Sequence, residues 1–215
     1  MSVKVKICGI TNLSDAQLAL HLGADYLGFN FYPLSPRYIN PKAAGEIMAA
    51  LPAQAIYVGV FVDAGLEGIS EILRQCPLKI VQLHGAESNE ECQAVAELKV
   101  EVIKALRMRR PQDICQAQQY NVTAILLDVF HEKLYGGTGR RFDWSWIRQV
   151  GSQKIFLAGG ITPENITAAL TVGTYGVDLC SGVEKEPGIK DSDKLNKLFK
   201  EIDRYYASNQ KKRNK

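Results

Sequence analysis

The sequence lacks the features that mark a metal site, a disulfide framework or a membrane segment. Its five cysteines are widely and irregularly spaced, without a Cys-x-x-Cys pair, and it has only three histidines. No apolar run reaches the roughly 18 residues that a bilayer span requires, and the N-terminus lacks the apolar core of a signal peptide. We therefore expect no metal, no disulfide framework, no membrane contact and a cytoplasmic location.

The chain also lacks a strong charge of either sign. Its formal net charge is +3, but four positive charges lie in the last five residues. The rest of the chain holds 22 basic and 23 acidic residues, so nucleic-acid binding is not expected. We expect residues 1–207 to form one catalytic domain, followed by a basic, disordered or frayed tail over residues 208–215.

What the sequence does have is a regular alternation of short apolar runs with longer segments of helical period. The runs favour β-strands at 3–8, 25–31, 55–62, 79–84, 101–107, 123–130, 154–158 and 175–180. The segments between them favour helices at 15–22, 41–51, 65–75, 89–98, 111–119, 143–149, 163–171 and 191–207. Several strands are apolar on both faces, as in parallel sheets covered by helices. This alternation predicts an α/β fold, a single-domain (β/α)8 TIM barrel, with an open doubly wound sheet as the alternative.

In such a barrel the active site lies where the strands end and the following loops begin. Cys8 ends the first predicted strand, a position that suits either a catalyst or a small buried residue. Asp128 follows the apolar run Ala124–Leu127. Partial burial there would favour the protonated form that a general acid needs, although an Asp that caps the next turn is the alternative.

Other polar groups are expected at the same end of the barrel. Arg37 lies in a proline-stiffened loop, where a guanidinium suits a carboxylate or phosphate, or is simply solvated. Gln82 and His84 end the fourth strand and point the same way, and we interpret His84 as a hydrogen-bonded group that lines the site. The last two loops predict a phosphate site, with close backbone approach and a hydroxyl donor, at Gly159, Gly160, Ser181 and Gly182. The glycine-rich loop Leu134–Arg140 is interpreted as a flexible lid.

Several segments, in order along the chain, resemble the phosphoribosylanthranilate isomerase family. They are Lys6–Thr11, Gly28–Pro33 with Ser35–Arg37, Val81–Gly85, Leu127–Asp128, Gly136–Gly139 with Phe142–Trp144, Leu157–Gly160, and Ser181–Glu184 with Pro187–Asp191. The resemblance implies an aldose–ketose isomerase of tryptophan biosynthesis that needs no cofactor. Its substrate would be a small phosphosugar, N-(5-phosphoribosyl)anthranilate, rearranged to 1-(2-carboxyphenylamino)-1-deoxyribulose 5-phosphate, and no obligate protein partner is evident.

The resemblance also implies roles for individual residues. Asp128 would protonate the ribose ring oxygen, and Cys8 would remove the proton from C2′. Arg37 would hold the anthranilate, while the phosphate would lie against Gly160, Ser181 and Gly182. Since only a thiolate is a competent base, we expect Lys6, on the same strand face as Cys8, to lower the pKa of that thiol.

Two positions depart from the family pattern: Cys180 stands in place of a small hydroxyl residue, and Asn30 in place of a small or apolar one. Two other functions are alternatives. An isomerase of the ProFAR type, from histidine synthesis, would use a pair of aspartates, and Cys8 argues against it. A barrel that binds sugar phosphates without catalysis is disfavoured by the presence of Cys8, Asp128 and Arg37 together.

Overall fold

The computed structural model describes residues 2–129, 143–149 and 153–213, and within them eight parallel strands close into a barrel in chain order. The strands are β1 (Lys4–Cys8), β2 (Tyr26–Asn30), β3 (Ile56–Phe61), β4 (Ile80–Leu83), β5 (Glu101–Met108), β6 (Ala124–Val129), β7 (Ile155–Leu157) and β8 (Gly176–Leu179). The predicted barrel is confirmed. The open sheet is excluded because β8 pairs with β1.

In the part of the chain that the structure describes, six α-helices lie between or after these strands. They are α1 (Leu13–Leu22), α2 (Pro41–Ala49), α3 (Gly65–Gln75), α4 (Asn89–Ala96), α5 (Ile166–Thr171) and α6 (Ser192–Arg213). Helices are present where 111–119 and 143–149 were predicted, but Pro111–Gln119 and Trp144–Gln149 are 3-10 helices rather than α-helices. In the first, the buried residues Ile114 and Ala117 lie three positions apart, which is the repeat of a 3-10 helix.

Side-chain caps fix where two of the helices begin. Ser88 accepts a hydrogen bond from the Glu91 backbone N–H, and the Glu91 carboxylate accepts one from the Ser88 N–H, which is the capping box at the start of α4. Asn40 accepts from the Lys42 N–H, directly before Pro41 at the start of α2. These caps therefore fix the residues at which the loops after β4 and β2 end and the helices begin.

Alternate residues of the strands point outward to the helices or inward to the barrel axis. The outward residues are apolar and join the large core beneath the helices, among them Ile7, Leu27, Val81, Leu127 and Leu179. The inward residues form a second apolar cluster, which we call the lower core: Tyr26, Val58, Ile80, Ile103, Ala105, Ala124, Leu126, Phe156 and Ala158. Within it, Phe156 packs edge-on against Tyr26 and Tyr175, with ring centroids 5.7 and 5.4 Å apart.

Nearer the carboxyl ends of the strands, the same inward faces carry polar groups, which we call the upper interior: Lys6, Cys8, Gln82, Asp128 and Asp178. On β6, for example, the inward series runs from Ala124 and Leu126 in the lower core to Asp128, which lines a cavity. The inward-facing positions therefore change from the apolar lower core to the polar upper interior without a break in the strand alternation.

The chain continues beyond β8 into a short hairpin that the sequence did not predict. Strands β9 (Glu184–Glu186) and β10 (Ile189–Lys190) pair antiparallel, and α6 then continues through Arg213. The domain end at residue 207 and the tail 208–215 stay predictions. The glycine-rich loop Leu134–Arg140 lies outside the described residues. In the described part of the chain, no helix is both long and apolar enough to cross a membrane.

Candidate active site

One cavity at the carboxyl end of the barrel is lined by all the residues that the sequence predicts to be catalytic, substrate-binding or phosphate-binding. Its lining includes Cys8, Arg37, Gln82, His84, Asp128, Gly159, Gly160, Ser181 and Gly182. They come from six different strands or the loops after them, so only the closed barrel brings them together. The chemical role of each remains a prediction.

Cys8 lies beside a buried ion pair. Lys6 is completely buried, and its Nζ is 2.9 Å from Oδ1 of Asp178 on the neighbouring strand. Gly28 leaves room for this arrangement, because a Cβ there would lie 2.8 Å from the Cys8 Sγ and 3.1 Å from the Lys6 Nζ. The Cys8 thiol and the Lys6 ammonium group therefore lie side by side against Gly28 of β2.

The charges around Cys8 favour its ionised form. Cys180, within hydrogen-bonding reach, and the Lys6 ammonium hold the pKa of Cys8 well below its ordinary value, although burial acts in the opposite direction. Burial also raises the pKa of Asp178, to about 6, against the attraction of Lys6. For Lys6, burial favours the neutral amine, but Asp178 and Cys8 outweigh it and raise the pKa of Lys6. Cys180 thus contributes most to the lowered pKa of Cys8, and Lys6 acts in the direction that the sequence predicts.

Asp128 is buried, accepts one backbone hydrogen bond and lies beside the His84 ring. Its Oδ1 accepts a hydrogen bond of 2.7 Å from the Val129 backbone N–H, and its Oδ2 is 3.5 Å from the His84 Nε2. The Gln82 amide NH2 donates to the His84 Nδ1 at 3.1 Å, so the proton of a neutral ring lies on Nε2, toward Asp128. The sequence predicts Gln82 and His84 on one face, and the structure shows that Gln82 orients the His84 ring beside the carboxylate, without a hydrogen bond between His84 and Asp128.

One buried polar atom in each of the Gln82 and His84 side chains lacks a hydrogen-bond partner among the described residues. They are the Gln82 Oε1 and the His84 Nε2. An unpaired buried polar atom is costly unless a ligand or water satisfies it. Both residues line the cavity, so a hydroxyl-bearing ligand in the cavity can supply the missing hydrogen bonds.

Arg37 is held by a carboxylate that sequence reasoning missed. Glu184 is 5% exposed and accepts from the Arg37 Nε at 2.9 Å and Nη2 at 2.6 Å. It also accepts from the Lys190 Nζ at 2.8 Å. Burial opposes ionisation of Glu184, but these two cations prevail and keep the pKa of its carboxyl below the usual range. The guanidinium is consequently fixed in one direction at the edge of the cavity.

The loop that carries Arg37 is organised by Asn30. The Asn30 Nδ2 donates to the Ser35 Oγ at 3.0 Å, and its Oδ1 accepts from the Tyr32 N–H at 2.9 Å. Ser35 in turn accepts from the Arg37 N–H at 3.1 Å. The amide at position 30 thus ties both ends of the Tyr32–Arg37 segment, which accounts physically for a polar residue there.

Loops seven and eight form a compact turn with exposed backbone. Gly159 and Gly160 have φ of 84° and 63°, the left-handed region that suits glycine. Ser181 opens a 3-10 turn, Ser181–Val183, whose first N–H groups have no partner within the turn. A Cβ at Gly182 would overlap the carbonyl oxygen of Ile161. These features leave space and donors for an anion, as the glycine pattern predicts.

Asp178, Glu184 and Lys190 are the charged residues that the sequence reading passed over. Asp178 carried a usable signal, because it interrupts the apolar run of the last strand in the same phase as Cys180. Glu184 and Lys190 lie in segments that resemble the family, but no local pattern indicates their burial, which depends on the β9–β10 hairpin folding back over β1. In the described part of the chain, no group of three or more His, Cys, Asp or Glu side chains is placed to hold a metal ion.

Comparison with known proteins points to one family. A model of the N-(5′-phosphoribosyl)anthranilate (PRA) isomerase family matches residues 5–201 of the chain. The chain is 46% identical over 200 residues to N-(5′-phosphoribosyl)anthranilate isomerase of Geobacter sp. strain M21. That alignment covers 92% of this chain and 97% of the relative.

Solved structures agree. The phosphoribosyl anthranilate isomerase of Thermotoga maritima superposes with a TM-score of 0.87 at 42% identity, covering 94% of this chain and 98% of that one. A phosphoribosyl anthranilate isomerase in complex with reduced 1-(o-carboxyphenylamino)-1-deoxyribulose 5-phosphate has a TM-score of 0.84 at 41% identity, with the same coverage.

Proposed function

The chain belongs to the N-(5′-phosphoribosyl)anthranilate isomerase family and is an isomerase of tryptophan biosynthesis, and on that premise we propose how its residues carry out the reaction. The reaction is the Amadori rearrangement of N-(5′-phosphoribosyl)anthranilate to 1-(2-carboxyphenylamino)-1-deoxyribulose 5-phosphate. It needs a proton donor at the ribose ring oxygen and a base at C2′. The observation that carries the proposal is that Cys8 at the end of β1 and Asp128 near the end of β6 line the same cavity.

Asp128 is the general acid in the first step. Its carboxyl proton passes to the furanose ring oxygen as the bond between that oxygen and C1′ breaks. The nitrogen lone pair of the anthranilate forms the C1′=N bond, which gives a protonated Schiff base. Burial of Asp128 and its hydrogen bond from the Val129 N–H hold the carboxyl in one orientation for this transfer.

Cys8 is the general base in the second step. Its thiolate removes the proton from C2′, and the electron pair of that C–H bond forms the C1′=C2′ bond as the charge on nitrogen is neutralised. The resulting enolamine becomes the ketone when the proton of the C2′ hydroxyl is lost and C1′ gains one. The Cys8 thiol and the Asp128 carboxylate return to their starting forms by proton exchange with solvent. An unshifted thiol is only a few per cent ionised near neutral pH, so the lowered pKa of Cys8 supplies the active form.

The remaining residues bind the two ends of the substrate. Arg37, fixed by Glu184, faces the anthranilate carboxylate or ring. The unpaired Gln82 Oε1 and His84 Nε2 receive the ribose hydroxyls. The phosphate lies against the turns of loops seven and eight, at Gly159, Gly160, Ser181 and Gly182.

Two variants test the chemical roles. We expect Cys8→Ala and Asp128→Asn each to lower kcat by roughly two to four orders of magnitude, measured as the loss of phosphoribosylanthranilate fluorescence. Binding of the reduced product analogue should be largely retained, because the groups that bind it remain in place. Cys115→Ala is the control, since that cysteine is exposed in the Pro111–Gln119 helix and should leave kcat unchanged.

The same measurements separate the alternatives. Full activity in both variants would remove the proposed acid and base. Wild-type protein that binds the reduced analogue but shows no turnover would favour a sugar-phosphate-binding barrel. A ProFAR-type isomerase would turn over the histidine-pathway substrate instead and would use an aspartate in place of Cys8.

We also propose that the enzyme works in the cytoplasm on this small-molecule phosphosugar, without nucleic acid, membrane or an obligate protein partner. All five cysteines are free thiols, and a catalytic thiolate needs a reducing compartment to stay active. Cell fractionation with an activity assay tests the location, and activity of the purified chain alone tests the absence of a partner.

A further inference from the structure

Cys180 is the nearest thiol to the proposed base, and the strand register puts the two together. In the parallel pairing of β1 with β8, Lys6 is opposite Asp178 and Ile7 is opposite Leu179. The pairing ends there, and one further step in the same register puts Cys8 opposite Cys180. Paired strands lie about 4.8 Å apart, and both cysteines share the inward face with Lys6 and Asp178. Both line the cavity.

Each of the two thiols lies close to a glycine. A Cβ at Gly9 would lie 3.1 Å from the Cys180 Sγ, and one at Gly28 would lie 2.8 Å from the Cys8 Sγ. These two glycines therefore flank the thiol pair. Gly9 has a φ of 76°, so a side chain at that position is disfavoured by the backbone as well.

Two anions compete for the single proton of the Cys180 thiol. The Glu184 Oε1 is 3.7 Å from the Cys180 Sγ, a long contact even for sulfur. That oxygen already accepts from the Lys190 Nζ at 2.8 Å and the Arg37 Nε at 2.9 Å. Since its acceptor capacity is largely used, the thiol proton is available to the other neighbour, the sulfur of Cys8.

From this arrangement we infer that Cys180 is a positioning residue for the base: its S–H donates a hydrogen bond to the Cys8 thiolate and holds that thiolate ready for proton abstraction. The inference rests on the proposed function, in which Cys8 is the base. It assigns to the thiol at position 180 a role in the proton-transfer step rather than in phosphate binding. The donor stays protonated because its own pKa is raised by the hydrogen bond with Cys8 and by burial.

Other charges also face Cys8, and the test must separate them from Cys180. They are Lys6 on β1, Asp178 on β8, Asp128 on β6, Arg37 after β2, Glu184 on β9 and Lys190 on β10, whose Nζ donates to the Cys8 carbonyl oxygen. None of these residues is changed in the test variants, so their effect is the same in each protein compared.

The experiment compares Cys180→Ala, which removes the donor, with Cys180→Ser, which keeps an O–H donor. Two quantities are followed against pH: kcat/KM, and the rate at which iodoacetamide alkylates Cys8, resolved by peptide mass spectrometry. In Cys180→Ala, we expect the acid limb of both profiles to move up by about one pH unit, which corresponds to about a tenfold loss of thiolate below it. At high pH kcat/KM should approach that of the wild type. Cys180→Ser should lie within about half a unit of the wild type.

A reciprocal measurement covers the case in which Cys180→Ala does not fold. Because coupling between two titrating groups acts equally on both, removal of Cys8 should lower the pKa of Cys180 by a similar amount. In Cys8→Ala, alkylation of Cys180 should therefore begin about one pH unit lower than in the wild type.

The possible outcomes are distinct. An unchanged acid limb in Cys180→Ala, or a loss of kcat/KM that is equal at every pH, overturns the inference. Unchanged Cys180 alkylation in Cys8→Ala overturns it as well. The alkylation profiles report on the thiol pair whatever the catalytic role of Cys8. Failure of the proposed function would instead appear as full kcat in Cys8→Ala.

Discussion

The lower core and the upper interior are built on the same inward faces of the same strands, but they differ in what they bury. The lower core is apolar, with Phe156 packed between Tyr26 and Tyr175. The upper interior buries charge, including Lys6 and Asp178 in an ion pair of 2.9 Å. One strand, β6, passes from Leu126 in the first region to Asp128 in the second.

This contrast separates the part of the barrel that stabilises the fold from the part that also supports catalysis. Apolar burial contributes to folding whatever the pH, whereas buried charges are stable only with their partners and respond to protonation. Changes in the lower core should therefore alter the free energy of unfolding but not the activity per folded molecule. The upper interior should affect both, because its ion pairs also set the ionisation of Cys8.

Replacement of Lys6 by Met should have the largest effect, since it acts on both properties. It leaves Asp178 buried without its cation, which we expect to cost about 3–5 kcal/mol in the free energy of unfolding. It also removes a positive charge that lowers the pKa of Cys8, so kcat/KM near neutral pH should fall at least about tenfold. Chemical denaturation and a pH–rate profile measure the two effects.

Lys4→Met is the matched control on the same face of β1. Lys4 pairs with Asp25 at 2.6 Å, but its side chain is 40% exposed. We expect it to change the free energy of unfolding by less than about 1 kcal/mol, with kcat/KM unchanged. Equal effects of the two substitutions would contradict the division between buried and exposed charge on this strand.

Phe156→Ala should break the lower core alone. Removal of this ring leaves a cavity between Tyr26 and Tyr175, and we expect a loss of about 3–5 kcal/mol in the free energy of unfolding. The activity per folded molecule should stay near that of the wild type at a temperature where the variant is folded. A fall in kcat that matches the loss of stability would show that the two regions are not separable.

Glu184→Gln should have a smaller effect on stability, with a pH signature. The pKa of Glu184 in the folded chain is below its ordinary value of 4.5. Its ionised form therefore stabilises the fold fully above that ordinary value, and the contribution is lost as the pH falls through the lowered one. The free energy of unfolding of the variant should be about 1.5–3 kcal/mol lower near neutral pH. It should also decline less steeply than that of the wild type as the pH falls. KM should rise because Arg37 is no longer held.

Glu164→Gln serves as the control for that pH dependence. Glu164 pairs with Lys197 at 2.8 Å, but both side chains are largely exposed. Solvent screens such a pair, so the unfolding midpoint should hardly move. If both glutamine variants changed the loss of stability at low pH equally, burial of Glu184 would not be the cause of that pH dependence.

The barrel could be predicted from the sequence because its strands are short apolar runs separated by helical periods. Cys8, Asp128 and Gln82 were also within reach, since each ends such a run on the inward face. The type of helix could not be predicted. In Pro111–Gln119 only two buried side chains, three positions apart, distinguish a 3-10 helix from an α-helix. The family resemblance named the chemistry, but not the contacts that support it.

The supporting charges escaped prediction for a physical reason. Glu184 meets Arg37 across 147 positions of sequence, and Lys6 meets Asp178 across 172. Pairing over such distances depends on how the hairpin and the last strand fold back, which local patterns do not encode. Cys180 is similar, because only the β1–β8 register reveals its neighbour.

The closure of the barrel between its first and last strands has a consequence for synthesis. A ribosome adds about 5–20 residues per second, so β1 waits roughly ten to thirty seconds for β8. Until then, Lys6 has no counter-charge and Cys8 has neither Asp178 nor Cys180 beside it. A growing chain that has completed its first seven strands thus lacks Cys180, the neighbour that does most to lower the pKa of Cys8, and the surroundings of the base are complete only after β8 has been added.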